Sequence, residues 1–73
     1  KLYNLPSRPT RRVVHPAGGS YVNLRTSPDM TYGQIAARVP TGNSVTIMIP
    51  GQDWCKVTWN GHTGYMLTYF LQQ

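Results

Sequence analysis

Seventy-three residues allow one small domain, whose high surface-to-volume ratio leaves it marginally stable, so most apolar residues must be spent on a core. No apolar run approaches the roughly 20 residues that a membrane-crossing helix needs, and the single cysteine, Cys55, excludes an intrachain disulfide and a multi-cysteine metal site. The net charge of +5 is unevenly placed: Lys1, Arg8, Arg11 and Arg12 give the first 16 residues +4, whereas in residues 17–73 Arg25, Arg38 and Lys56 stand against Asp29 and Asp53, a balance of +1. A basic arm before a nearly neutral domain favours anionic surfaces of any kind, whether nucleic acid, lipid headgroups or anionic wall polymers.

In chain order, residues 1–19 hold Pro6, Pro9, Pro16, Gly18 and Gly19 and read as a basic Pro/Gly-rich linker or arm, with Val13-Val14 open as a short edge strand. The start at Lys1, with neither Met nor a leader pattern, is expected of a processed protein or an excised domain. Pro6-Ser7-Arg8-Pro9-Thr10-Arg11 has the spacing of a polyproline II ligand, although an extended solvated linker explains the same residues. Tyr21-Val22-Asn23-Leu24-Arg25 alternates as a strand with Val22 and Leu24 inward. Thr26-Ser27-Pro28-Asp29 breaks it and opens a loop to about Gly33. Ile35-Ala36-Ala37-Arg38-Val39 is a second strand, stopped by Pro40 and Gly42. Val45-Thr46-Ile47-Met48-Ile49 is β-branched and alternating, which puts Val45, Ile47 and Ile49 on one face.

After the turn Pro50-Gly51-Gln52-Asp53 come two alternating runs joined by Asn60-Gly61. Both centre positions of a type I′ turn need φ > 0, which Asn tolerates and Gly adopts freely, so the stretch reads as a tight hairpin. A two-residue turn fixes the register: Trp59 faces His62, Val57 faces Gly64, Lys56 faces Tyr65, Cys55 faces Met66 and Trp54 faces Leu67. One face then carries Cys55, Val57, Trp59, His62, Gly64 and Met66, the other Trp54, Lys56, Thr58, Thr63, Tyr65 and Leu67. Thr68-Tyr69-Phe70-Leu71 closes the chain as a 3₁₀ turn and a final short strand. About five short strands at close intervals make an all-β barrel or sandwich.

The register also bears on chemistry. Cys55 and His62 lie four ladder positions apart, about 13 Å at strand spacing, so they form no nucleophile–base pair. Cys55 reads instead as a small core thiol against Met66. Asp29 and Asp53 are the only acids, and both sit in turns, where Asp serves the backbone; neither an acid–base pair nor a metal-ligand spacing is present. There is no Gly-rich phosphate loop, and no catalytic residue, metal or cofactor is expected. The functional signal is aromatic: Trp54 and Tyr65 are diagonal neighbours on the outer face of the hairpin, where flat rings stack on sugars, peptide backbones and prolines. Arg25 and Lys56 are candidate charge contacts beside them.

Val22-Asn23-Leu24-Arg25-Thr26-Ser27-Pro28, Val39-Pro40-Thr41-Gly42, Trp54-Cys55-Lys56-Val57, Asn60-Gly61-His62-Thr63-Gly64-Tyr65-Met66 and Phe70-Leu71 fall in one order. They resemble the N-V-R-S-G-P-S opening, L-x-x-G turn, W-x-K-V strand, N-G-x-T-G-[YW]-V hairpin and closing Y-L of bacterial SH3 (SH3b) domains, over about residues 20–72. Ser27 and Ala37 stand where glycines are common, the loop around Tyr32 is one residue longer, and Phe70 replaces the usual Tyr. The resemblance implies a small SH3-like barrel of five to six short antiparallel strands over residues 20–73. It adds Phe70 and Tyr32 to the groove of Trp54 and Tyr65. It also implies a non-catalytic, extracytoplasmic module, in the periplasm, in the cell wall or secreted, that binds peptidoglycan or another cell-wall polymer or positions an attached wall-active enzyme. The alternative is a protein-interaction module docking a neighbouring domain, a peptide or a proline-rich segment. Specific nucleic-acid binding is not expected of a domain with a balance of +1 and no basic stripe.

Overall fold

The computed structural model describes residues 8–72, so Lys1 and the front of the proline motif at 6–11 lie outside the described residues. Six strands succeed one another: β1 (Thr10–Arg12), β2 (Tyr21–Arg25), β3 (Ile35–Pro40), β4 (Ser44–Ile49), β5 (Trp54–Trp59) and β6 (His62–Leu67), then a 3₁₀ turn (Thr68–Phe70). They form one antiparallel sheet in the order β1-β4-β5-β6-β2-β3, an SH3-like arrangement. The expected all-β class and strand positions hold for β2 to β6; in β2, β5 and β6 buried positions alternate along the strand, whereas in β3 only Val39 is buried and Ile35 is 48% exposed.

The hairpin shows how local chemistry sets this register. Asn60 and Gly61 adopt φ of 50° and 84°, as a type I′ turn requires. The ladder then runs Trp59↔His62 through Val57↔Gly64 and Cys55↔Met66 to Trp54↔Leu67, as the two-residue turn dictates. Its inner face delivers Cys55, Val57 and Met66 to a core that also holds Val22, Leu24, Val39, Val45 and Ile47.

Two further features differ from the alternation. Val45 and Ile47 are buried, but Ile49 is 58% exposed. The ladder with β5 shifts between Ile47 and Ile49, pairing Ile47 with Val57 and Ile49 with Lys56. One extra residue, Met48, inverts the facing of the strand beyond it, so Ile49 turns outward. The second feature lies in the segment read as an arm. Thr10 pairs with Thr46 and Arg12 with Ser44, and Pro9 O accepts the Ile47 N–H at 2.8 Å. Val13 is fully buried and bridges Leu71, while its N–H donates to Asn43 O and its carbonyl accepts from Gly42, each at 2.8 Å. These contacts tie the end of β1 both to the β3–β4 turn and to the end of the chain, which curls the sheet into a barrel.

Candidate functional site

The outward positions of β2 are Tyr21, Asn23 and Arg25, because Val22 and Leu24 take the inward ones. Trp54 and its cross-strand partner Leu67 stand on the outer face of the hairpin. The loop between β1 and β2 brings His15 to the same side, and the 3₁₀ turn brings Phe70. Together with Gly19 and Met30 these residues line a groove of about 450 Å³. A shallower depression of about 550 Å³, lined by Gln52, Asp53, Trp54, Leu67, Thr68 and Tyr69, shares Trp54 and Leu67 with the groove.

Each wall is held by hydrogen bonds that leave the rings in place. Gly18 N–H donates to His15 O at 2.8 Å, closing the turn His15-Pro16-Ala17-Gly18, and Val14 N–H donates to Phe70 O at 2.8 Å. The imidazole of His15 consequently lies 5.0 Å from the Phe70 ring, tilted by 43°, while Tyr69 packs edge-on to Phe70 at 5.2 Å. These are separations at which aromatic pairs attract. At the other end, Arg25 Nη1 donates to Gly33 O at 3.0 Å and to Met30 O at 3.4 Å, which fixes loop 26–34 as the groove's side. Within that loop, Asp29 Oδ1 accepts from Thr31 N–H at 2.7 Å and Tyr32 N–H at 2.9 Å. The Tyr32 and Thr31 N–H groups hold the Asp29 carboxyl below its ordinary 3.8, against an opposing effect of desolvation and with a lesser contribution from the Arg25 charge. The guanidinium of Arg38 lies 5.1 Å from the ring centre of Tyr21 at the groove's rim. Among the described residues no acid lines the groove.

Of the residues the sequence marks, the structure brings Trp54, Phe70 and Arg25 together in this groove. Tyr65 and Lys56 are half-buried and pair with each other one step along the hairpin; Tyr65 also faces Arg25 across the β2–β6 ladder, just outside the groove. Tyr32 is 82% exposed at its loop tip, and Met30 takes the place at the groove wall that the resemblance gives to Tyr32. Cys55 is buried, with its thiol 3.2 Å from Thr68 Oγ1, on the opposite side of the sheet from the groove.

The decisive observation is the sequence match over this same framework: the family model of the bacterial SH3 domain fits residues 20–72, that is, β2 through the 3₁₀ turn. The chain belongs to the bacterial SH3 domain family. Such domains are binding modules, which agrees with an open groove rather than a closed reaction chamber. A search of curated proteins finds none that matches the chain.

Sequence reasoning missed most of the other lining residues, among them Asn23, His15 and Met30. Asn23 was within reach of it: alternation that turns Val22 and Leu24 inward turns Asn23 outward, beside Arg25. His15 and Met30 carry no such signal, because loop positions obey no period and are set by the turn and by the Arg25 clamp.

Proposed function

We propose that this bacterial SH3 domain is a non-catalytic module that holds a protein at the cell wall, outside the cytoplasm, by seating a wall polymer in the groove between β2, the hairpin and the 3₁₀ turn. The carrying observation is the groove's composition: the rings of Trp54 and Phe70 and the cation of Arg25 in one lining, with no acid among the described lining residues. Flat rings give contact area at little rotamer cost, and a positive rim favours the carboxylates and phosphates of wall polymers. Residues 8–12 of the basic arm run along β4, where Arg8 Nη1 donates to Met48 O at 3.3 Å, so this part of the arm leaves the groove to an outside ligand.

Sedimentation with purified peptidoglycan sacculi tests the reading. Wild-type protein should pellet with sacculi, and Trp54→Ala should reduce the bound fraction by about ten-fold, the effect of losing one well-packed aromatic anchor. The melting curve of Trp54→Ala serves as the control for folding. Equal retention of the two folded proteins would sink the groove reading.

A further inference from the structure

The sheet register sets one kind of side chain in line across four strands. Thr10 pairs with Thr46, Thr46 with Thr58 and Thr58 with Thr63, so β1, β4, β5 and β6 each give one threonine to a single row. The row is on the outer face, because Val45, Ile47 and Val57 take the inward positions beside it. Neighbouring strands lie about 4.8 Å apart, so the row runs about 14 Å. Strand propensity favours the branched shape of threonine but not its hydroxyl. Thr26 Oγ1 accepts the Gln34 N–H, and the hydroxyls of Thr41 and Thr68 donate to the carbonyls of Ser20 and Gly51. No hydrogen bond among the described residues engages the four hydroxyls of the row. Cations flank the row on both sides. On one side Arg12 pairs with Ser44, and both are exposed. On the other, Arg8 Nη1 donates to Met48 O at 3.3 Å, and Lys56 stands between Ile49 and Tyr65 of the adjoining strands. Arg11 belongs to the opposite face, since it pairs with Val45. Both acids of the chain lie elsewhere, Asp29 in loop 26–34 and Asp53 in the turn before β5.

We infer that this face is a second binding surface, apart from the groove, and that it takes a linear phosphodiester polymer without bases. Hydroxyl donors in the row and cations on its flanks are the groups that hold phosphate oxygens, and no acid opposes them. Positions two apart on a strand are about 6.6 Å from each other, so the long side chains of Arg12 and Lys56 reach an anion seated on the threonines. Relief selects among anionic polymers. The threonines line neither the groove nor the depression beside it, so a charge borne on a polymer's side group finds no recess there. A phosphodiester carries its charge in the backbone and lies along a face of short side chains. No ring stands in the threonine row or beside Arg12 and Ser44, so a base would have nothing there to stack on. The face and the groove share no residue, and the inference does not rest on what the groove binds.

The test is calorimetric and NMR titration of the full chain with poly(glycerol phosphate), against poly-glutamate and single-stranded DNA of matched charge. Poly(glycerol phosphate) should shift the backbone signals of Thr46, Thr58 and Thr63 and leave the Trp54 indole signal in place. Valine keeps the branched shape of threonine, so the double substitution Thr46→Val and Thr58→Val should hold the melting temperature. It should weaken binding by about ten-fold or more, the effect of losing a hydrogen bond to a charged group. Thr63→Val, at an exposed position, repeats the test should the double variant unfold. Arg12→Gln should weaken binding similarly and lower the slope of log affinity against log salt by about 0.7, the share of one cation. Undiminished binding by the folded threonine variants overturns the inference, since charge alone then suffices. Poly-glutamate binding as tightly as poly(glycerol phosphate) overturns the phosphate assignment, and tighter binding of DNA overturns the base-free class. Shifts confined to the groove residues overturn the site. The two readings fail separately. Pelleting with purified sacculi but no binding of poly(glycerol phosphate) overturns this inference and leaves the groove reading standing; the opposite pair of results does the reverse.

Discussion

Arg25 and Asp29 act on loop 26–34 from its two sides, the cation through the carbonyls of Met30 and Gly33, the carboxylate through the N–H groups of Thr31 and Tyr32. The carboxylate is the form these donors prefer, so the folded pKa lies below 3.8, the ordinary value of the unfolded chain. Its stabilising effect on the loop is therefore complete above that ordinary value and is lost as pH falls through the depressed one. The amide resonances of Thr31 and Tyr32 should move together in an acid titration, with an inflection below 3.8. In Asp29→Ala the inflection should vanish and both amides should exchange faster at neutral pH. A midpoint at or above the ordinary carboxylate value would contradict this account. The sequence reading that Asp in a turn serves the backbone anticipated this residue, because Asx-turn chemistry is local. It did not anticipate that Arg25 spends Nη1 on carbonyls of the same loop, since that bond closes over five and eight residues and depends on the loop's path.

Among the elements, the hairpin was the most legible, because a two-residue turn leaves one register and the register assigns every side chain a face. Two of its glycines make different demands. Gly61 holds a φ of 84° with open space around its missing Cβ, so Gly61→Ala strains only the backbone and should cost about 1–2 kcal/mol. At Gly64 an added Cβ would lie 2.5 Å from Arg25 O and 3.1 Å from Leu24 Cγ. The first of these is backbone of the neighbouring strand, so β2 and β6 must separate where β2 carries Asn23 and Arg25 into the groove. Gly64→Ala should thus lower stability more than Gly61→Ala in urea denaturation, and it alone should disturb the groove signals in an NMR spectrum. The reverse order would mean that the barrel tolerates a wider β2–β6 gap than this packing implies. At Ile49, one of the places where alternation failed, the cause was a bulge. No local propensity marks which strand of a pair takes the extra residue, and the exposed Ile49 results from pairing with β5 rather than from its own sequence.

At the scale of the whole molecule, the groove was legible as far as Trp54, Phe70 and Arg25, and illegible where it is built by the segment before residue 20. That segment has the composition of a linker, and the polar triplet Thr10-Arg11-Arg12 gives no alternation by which β1 shows itself; only its pairing with β4 makes it a strand. The family match begins at residue 20, yet Val13 is fully buried, bridges Leu71 and shares backbone hydrogen bonds with the β3–β4 turn. We propose that the folding unit therefore starts ahead of the matched segment. A chain beginning at residue 14 keeps every matched position but loses this plug and the cover of β4's outer edge. Burying one valine is worth about 1.5–3 kcal/mol, a large share of the stability of so small a domain. Val13→Ala should lower the midpoint of urea denaturation measurably, and the shortened chain should lose more, since it also gives up the β1–β4 ladder. The point variant separates core packing from charge, because it leaves Arg8, Arg11 and Arg12 in place. If the shortened chain unfolds at the same urea concentration as the full one, β1 is an appendage to a barrel complete without it. If it unfolds earlier, with the signals of His15 and the rest of the groove displaced, then β1 and Val13 close the barrel and hold in place the loop that carries the groove's histidine.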